Sequence, residues 1–212
     1  MNPLIRHRHL PHWDIPGATY FITSCLAGSI SPQGLLDIDR YTHVLDGQAL
    51  LPGLSLVDWQ DRRSKLLFAR RDRWLDTEPA VRHLQDARLA RIVQHAILHF
   101  ADVRYESLAF AVMPSHIHWV FRPLDSWVAT LGVRGAKRPP RERILHSLKS
   151  FTALACNEIL GAHGPFWQAE SYDRCVRDEA ELERIIRYVE HNPVAAGLVA
   201  EPKDWPYSSA SR

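Results

Sequence analysis

The spacing of apolar residues along the chain predicts three helices. Within 86–101, "DARLARIVQHAILHFA", apolar residues recur three and four positions apart, which is typical of an amphipathic helix. A second helix is predicted over 143–160. A third is predicted over 178–192, where acidic residues in the first turn suit the helix dipole and Pro193 is expected to end the helix. The expected buried side of the second helix is Leu145, Leu148, Phe151, Ala155 and Ile159.

Four segments rich in β-branched and aromatic residues predict strands. They are 18–28, 104–113, 116–122 and 171–177. Only Pro114 and Ser115 separate the second strand from the third, which indicates an antiparallel hairpin. The resulting order of strand, helix, strand, strand, helix, strand, helix predicts an α+β domain built on an antiparallel sheet.

The segment between Ser31 and Pro79 has a weaker pattern, with scattered glycine, proline and charge. We interpret it as an insertion or a set of extended loops after the first strand, over about 31–80. It contains the basic stretch "DRRSKLLFARRDRWL". The 212 residues fit one domain that carries this insertion and a C-terminal tail over about 198–212.

The composition is that of an ordinary globular protein, with 46% apolar and 24% charged residues. A net charge of only +2 means that any nucleic-acid-binding surface must be local. The three cysteines have no CxxC spacing, which argues against a disulfide framework and favours a reducing compartment. The N-terminus lacks an apolar signal core and no stretch has the length of a membrane span, so we expect a soluble, cytoplasmic protein.

Two histidines interrupt the apolar run "AVMPSHIHWVFRP". Residues two apart on a strand share a face, so His116 and His118 project together and can share one metal ion. The alternative is a pair of ordinary histidines. An HxHxH hydrolase motif would need a third histidine where Val120 stands, and a zinc site would need further cysteine or histidine ligands. A metal site therefore needs a third ligand from another element.

The third helix offers such a ligand beside a tyrosine. At about 100° per residue, Tyr188 lies roughly 110° from the centre of the helix's apolar stripe. Asn192 lies four residues after it and Arg184 four before it, on the same side of the helix. An exposed structural tyrosine is the alternative. Together with the histidines, the three residues suggest metal ligands beside a nucleophile.

Several motifs resemble a known family. "VMPSHIHWVF" resembles the His-hydrophobe-His motif of single-tyrosine HUH nucleases of the IS200-like transposase branch. "HSLKSFTA", "GPFWQAESYDRCVRD", "YVEHNPVAAGLV" and "DWPYSSA" resemble REP-associated tyrosine transposases, in the same order. "RHLPHWDIPGATYFITS" resembles the start of that group, so the resemblance covers about residues 8–29 and 83–209.

The resemblance implies a ferredoxin-like core, with helices on one face of an antiparallel sheet, that cleaves and rejoins single-stranded DNA beside hairpins. His116 and His118 would bind Mg²⁺ or Mn²⁺, and Asn192 takes the position of the third ligand. Tyr188 would be the nucleophile and would form a 5′-phosphotyrosine. Asn192 is shorter than the Gln that relatives often carry there.

The expected partner is single-stranded, hairpin-forming DNA, bound in the cytoplasm at the nucleoid by a monomer or homodimer. DNA contacts are predicted for Arg134, Lys137, Arg138, Arg141, Arg143, Lys149 and Arg184, and for the arm over 6–12. Trp167 and Tyr172 are either platforms for bases or packing residues. Two alternative functions stay open: a domesticated hairpin-binding protein with little or no transposition activity, and a metal-dependent phosphoesterase for a smaller substrate.

Overall fold

The secondary structure is defined in a computed structural model that describes residues 4–7, 11–49, 53–132 and 138–212. The strands are β1 (Leu4–His7), β2 (Pro11–Asp14), β3 (Tyr20–Cys25), β4 (Tyr105–Val112), β5 (His116–Pro123) and β6 (Tyr172–Cys175). The α-helices are α1 (Pro32–Asp46), α2 (Leu56–Thr77), α3 (Ala87–His99), α4 (Asp125–Thr130), α5 (Pro140–Leu160) and α6 (Glu179–Ala195). No helix in these described ranges is both long enough and apolar enough to cross a membrane.

The chain divides into two units. One contains Met1–Ala27 with His83–Arg212, and the other is Gly28–Arg82. The first unit holds a four-stranded sheet in the order β4-β5-β3-β6, in which every neighbouring pair is antiparallel. With α3 and α5 as the crossover helices, this is the β-α-β-β-α-β arrangement of ferredoxin-like folds. The predicted α+β class and antiparallel sheet are confirmed.

The predicted hairpin joins β4 and β5. Val112 pairs with Ile117, and the backbone N–H of Met113 donates to the carbonyl of His116 at 2.9 Å, which closes a turn over Pro114 and Ser115. The register shifts at a β-bulge between Ser107 and Ala109, near the beginning of β4 and away from the turn. The tight turn fixes the register at the histidine end of β5.

One face of the sheet, the apolar face, carries Ile22, Trp119 and Phe121, which are fully buried. Two side chains of this face connect to α3 and α5. The hydroxyl of Tyr105 donates to the carbonyl of Ile97 in α3 at 2.8 Å. Asp173 of β6 forms an ion pair with Arg141 in α5. The two crossover helices therefore lie together on the apolar face, as predicted.

The opposite face, the histidine face, carries Thr23, His116 and His118. It is covered by α6, whose Tyr188 contacts the ring of His118. The prediction of helices on one face thus holds for the crossover helices and is corrected for α6. The predicted site, in which Asn192 completes the ligands of His116 and His118, already required α6 to lie on this face.

The predicted end of the third helix before Pro193 is wrong. Pro193 lies inside α6, which runs to Ala195. Proline removes one backbone donor and its ring crowds the preceding turn, and α6 ends two residues after it. The chain leaves the helix with Gly197 at a φ of 70°, and the N–H of Leu198 donates to the carbonyl of Pro193. This left-handed closure satisfies the last carbonyls.

The predicted buried side of α5 is also partly wrong. Phe151 is 58% exposed and Ile159 is 39% exposed. Thr152 and Cys156 are buried instead, and the hydroxyl of Thr152 accepts a hydrogen bond from the indole of Trp167 at 2.9 Å. The N-terminal half of the helix buries Leu145 and Leu148 as predicted, while its C-terminal half turns smaller side chains toward the core. Trp167 is a packing residue.

The segment interpreted as an insertion or a set of extended loops contains the helices α1 and α2, so the extended-loop alternative is wrong. Asp37 of α1 accepts hydrogen bonds from Arg70 and from the indole of Trp74, both in α2. These bonds lower the pKa of Asp37 to about 2. Gly34 lets the helices approach closely, because a Cβ there would come within 3.0 Å of the Trp74 ring. Polar contacts join the two helices, and several of their large apolar residues, among them Leu36 and Val57, are exposed instead of lining one buried side, which explains the weak hydrophobic pattern.

The C-terminal tail runs along the outer edge of β4. The backbone N–H of Val112 donates to the carbonyl of Tyr207 at 2.8 Å, and its carbonyl accepts from the indole of Trp205 at 3.0 Å. The hydroxyl of Ser209 accepts from the N–H of Phe110. The tail thereby occupies backbone groups of β4 that no strand of the sheet pairs with.

Candidate active site

The histidine face brings two imidazoles to one point. His116 and His118 are both fully buried, and their Nε2 atoms lie 3.0 Å apart. Their rings are inclined at 76°, with centroids 4.6 Å apart. The spacing of two along β5 produces this convergence, as the sequence predicted.

Two hydroxyl groups orient the imidazoles from behind. The Oγ of Ser115 lies 2.9 Å from Nδ1 of His116, and the Oγ1 of Thr23 lies 2.8 Å from Nδ1 of His118. Each Nδ1 therefore forms a hydrogen bond with a hydroxyl group. The two Nε2 atoms point toward each other on the opposite side of the rings. Metal-binding histidines are usually held in this way, by a hydrogen bond on the ring nitrogen away from the metal.

Sequence reasoning missed both hydroxyl groups. Ser115 stands in the motif itself and could have been noticed as the neighbour of His116. Thr23 could not, because its position opposite His118 depends on the register of β3 against β5. The same register places Phe21, whose ring stacks on His118 with centroids 5.7 Å apart.

Tyr188 is half-buried beside these rings. Its ring centroid lies 5.4 Å from that of His118 and 6.0 Å from that of Phe21, in edge-on contacts. The helix α6 thus brings the predicted tyrosine against the predicted histidine. The position that looked displaced from the apolar stripe is the side of α6 that faces the sheet.

Asn192, the third predicted ligand, is 2% exposed and lies one turn beyond Tyr188 on the same side of α6. The chemistry of the converging donors fits a divalent cation, because two neutral imidazole nitrogens are ligands for Mn²⁺ and other first-row metals. His116 and His118 are the residues that could hold it, and an amide oxygen suits the same class of ion.

The predicted basic residues fall into different environments. Arg134 and Lys137 lie outside the described residues. Arg138 is exposed at the start of α5, where its carbonyl accepts a hydrogen bond from Nε of Arg143 at 3.3 Å. Arg184 is exposed on α6, one turn before the tyrosine. Of the 6–12 arm, the backbone at 4–7 and 11–14 forms the β1–β2 hairpin.

Arg141 is a correction to the predicted set. It is 3% exposed, pairs with Asp173 and lies 5.8 Å from the ring centroid of Tyr20. A guanidinium buried against a carboxylate presents no charge to solvent, so its role here is structural. No local pattern indicates this pairing, because Asp173 is more than thirty residues away along the chain.

Lys149 is partly buried on α5, beside a cleft of about 440 Å³ between that helix and residues 164–171. Its Nζ donates to the carbonyl of Gln168 at 2.6 Å and to the hydroxyl of Ser171 at 3.2 Å. Burial lowers the pKa of Lys149 to about 8. Its amine therefore ties α5 to the segment before β6.

The sequence and the fold of the chain are similar to those of known proteins. A protein of Haemophilus influenzae, provisionally named a REP-associated tyrosine transposase, is 27% identical over 114 residues, or 51% of this chain. The chain is therefore similar to a REP-associated tyrosine transposase over about half of its length. The matched region spans 60% of the length of that relative. No family model matches the chain.

A solved structure of a REP-associated tyrosine transposase bound to a REP hairpin shares the fold. The likeness covers 98% of this chain and 83% of that one, with a TM-score of 0.55 and 17% sequence identity. The resemblance to REP-associated tyrosine transposases inferred from the motifs is therefore confirmed, together with the fold.

Proposed function

We propose that the protein is a metal-dependent enzyme that nicks single-stranded DNA beside hairpins and transfers the strand through a 5′-phosphotyrosine at Tyr188. One observation carries the proposal: Tyr188 lies against His118, whose Nε2 converges with that of His116. The relationship to REP-associated tyrosine transposases supports it, since one relative is bound to a REP hairpin.

In the proposed reaction, Oη of Tyr188 attacks the scissile phosphorus. The P–O bond to the 3′ oxygen breaks and a tyrosine–phosphate bond forms, so the upstream strand leaves with a free 3′-OH. Attack by a 3′-OH on the phosphotyrosine restores a phosphodiester and releases the phenol. The covalent bond preserves the energy of the phosphodiester, so strand transfer needs no ATP.

His116 and His118 are proposed as ligands of Mg²⁺ or Mn²⁺, with Asn192 as the third. When bound, the ion would polarise the scissile phosphate and offset the charge that develops on its oxygens. A phenol has an ordinary pKa of about 10 and is a weak nucleophile at neutral pH, so the tyrosine needs a nearby positive charge. The bound ion would be that charge, and the contact between Tyr188 and His118 keeps the tyrosine beside a residue proposed to hold the ion.

The DNA contacts are proposed for Arg138, Arg143 and Arg184, the basic residues of the predicted set that are least buried in the described structure. The proposed partner is hairpin-forming single-stranded DNA. Contacts to phosphates would supply most of the affinity, and they would weaken as the salt concentration rises.

The test uses hairpin oligonucleotides with a single-stranded flank, labelled at one end, and Mg²⁺ or Mn²⁺. A 5′-phosphotyrosine leaves the 3′ label on the protein after denaturation and releases the 5′-labelled fragment with a 3′-OH. Tyr188→Phe should abolish the adduct. Tyr172→Phe is the matched control, because Tyr172 also contacts the ring of Phe21 and should leave the adduct intact.

Other outcomes would reject the proposal. An adduct that persists in Tyr188→Phe would contradict the assigned nucleophile. Tight hairpin binding without any adduct, across both metals and varied flanks, would favour a domesticated hairpin-binding protein. Hydrolysis of a small phosphodiester without DNA binding would favour the phosphoesterase alternative.

A further inference from the structure

The first turn of α6 contains a buried carboxylate that ties the helix to the sheet. Glu181 is 4% exposed and accepts hydrogen bonds from Nε of Arg174 at 3.1 Å and from the backbone N–H of Arg177 at 2.9 Å. Arg174 belongs to β6, and its side chain is only 11% exposed. Burial alone would raise the pKa of Glu181, but hydrogen bonds from Arg177 and the charge of Arg174 keep it below the usual value.

The carboxylate and the tyrosine lie on one side of the same helix. Seven residues separate Glu181 from Tyr188, which places them within about 20° of each other around the helix axis. In β3, Phe21 pairs with Arg174, so the strand residue that anchors Glu181 is the cross-strand neighbour of the ring that Tyr188 contacts. A rotation of α6 that moved one would move the other.

We infer that the Arg174–Glu181 pair is a positioning device that sets the rotation of α6 and thereby holds the Tyr188 hydroxyl toward the His116–His118 pair. The inference rests on the proposed function for its catalytic consequence. Reactions of this kind depend on placement, since a misplacement of about 1 Å can lower a rate about a hundredfold.

If Glu181 only stabilised the helix, any change that weakens this first turn should have the same effect on Tyr188. Asp178 in the same turn allows this comparison. Asp178 is the N-cap, and its carboxylate accepts a hydrogen bond from the N–H of Glu181 at 2.7 Å. Removing this cap weakens the helix without touching the link to β6. Glu183 pairs with Arg187 on the exposed side of α6, with side chains more than 60% exposed, and serves as a neutral control.

The experiment compares Glu181→Gln and Arg174→Gln with Asp178→Ala and Glu183→Gln in the full chain. The rate of adduct formation at saturating hairpin DNA and the hairpin affinity are measured for each. The environment of Tyr188 is read by ¹⁹F NMR of protein containing 3-fluorotyrosine, with its signal assigned by loss in Tyr188→Phe. Thermal melting shows how much each variant is destabilised.

The first two variants should lower the saturating rate at least about tenfold, shift the Tyr188 signal and leave hairpin affinity nearly unchanged. Asp178→Ala should lower the melting temperature with neither effect, and Glu183→Gln should change nothing. The inference is overturned if the Tyr188 signal does not move in Glu181→Gln or Arg174→Gln, or if Asp178→Ala reproduces both effects. If the unaltered protein forms no adduct, the proposed function fails, while the ¹⁹F signal still decides the positioning.

Discussion

The two faces of the sheet differ in what their side chains do. The apolar face buries Trp119 and Phe121 against the crossover helices. The alternate residues of the same strand point to the histidine face, where the rings of His116 and His118 are hydrogen-bonded to hydroxyl groups. Alternation along β5 therefore separates an apolar packing surface from the surface that carries the proposed metal ligands. We expect changes on one face to affect mainly unfolding, and changes on the other mainly metal binding and cleavage.

The largest expected effect is that of His116→Ala on the histidine face. Loss of one of two converging imidazoles should abolish Mn²⁺ binding and DNA cleavage, while hairpin affinity changes little because phosphate contacts supply it. Titration calorimetry with Mn²⁺, a cleavage assay and a hairpin-binding assay measure the three quantities. Cleavage at the wild-type rate would show that the imidazoles are not ligands in the reaction.

On the apolar face, Trp119→Ala should lower the free energy of unfolding by about 3–5 kcal/mol. The side chain is fully buried, and its indole N–H donates to the hydroxyl of Ser107 at 3.0 Å. Urea denaturation measures the change. If the folded fraction of this variant lost all Mn²⁺ affinity as His116→Ala does, the two faces would not be separable.

A smaller effect is expected for Thr23→Val, which keeps the shape of the side chain and removes its hydroxyl. The hydrogen bond to Nδ1 of His118 disappears, so metal affinity should fall about 10–100-fold without loss of the fold. Ser107→Ala is the control, since this hydroxyl bonds Trp119 on the other face. Equal Mn²⁺ affinity in Thr23→Val and the unaltered protein would contradict a role for this hydroxyl.

The smallest effect concerns Lys149 on α5, one of the two helices that lie on the apolar face. Its folded pKa of about 8 lies below the ordinary 10.5, so the unfolded chain binds more protons between these values. The free energy of unfolding should therefore gain a rising contribution from about pH 8 toward pH 10. Lys149→Met should remove that contribution, as urea denaturation at several pH values would show. An unchanged slope would contradict the lowered pKa.

Much of the first unit was predictable because its pattern is local. The alternation of β5, the turn at Pro114 and Ser115 and the apolar spacing of α3 each depend on neighbouring residues. The side of α6 that carries Tyr188 was also visible as a departure from its apolar stripe. These features do not determine the order of the strands in the sheet. That order could be predicted only because the family resemblance implies a ferredoxin-like core.

The rest depended on pairings between distant residues. Thr23 meets His118, and Arg141 meets Asp173, through strand register and helix packing that no local pattern encodes. Arg141 therefore looked like a surface cation in a basic segment. In the second unit, α1 and α2 are joined by the ion pair of Arg70 with Asp37, a contact that leaves no periodic apolar signal in the sequence.

The tail along β4 has a consequence for self-association. Exposed edge strands are templates on which other chains add strands, and proteins commonly cover them to avoid aggregation. Here the backbone of Val112 is bonded to Tyr207 and Trp205, and the backbone N–H of Phe110 is bonded to Ser209. These backbone groups of β4 are therefore not available to a strand of a second molecule. A dimer formed by continuing the sheet past β4 would first have to displace residues 205–209.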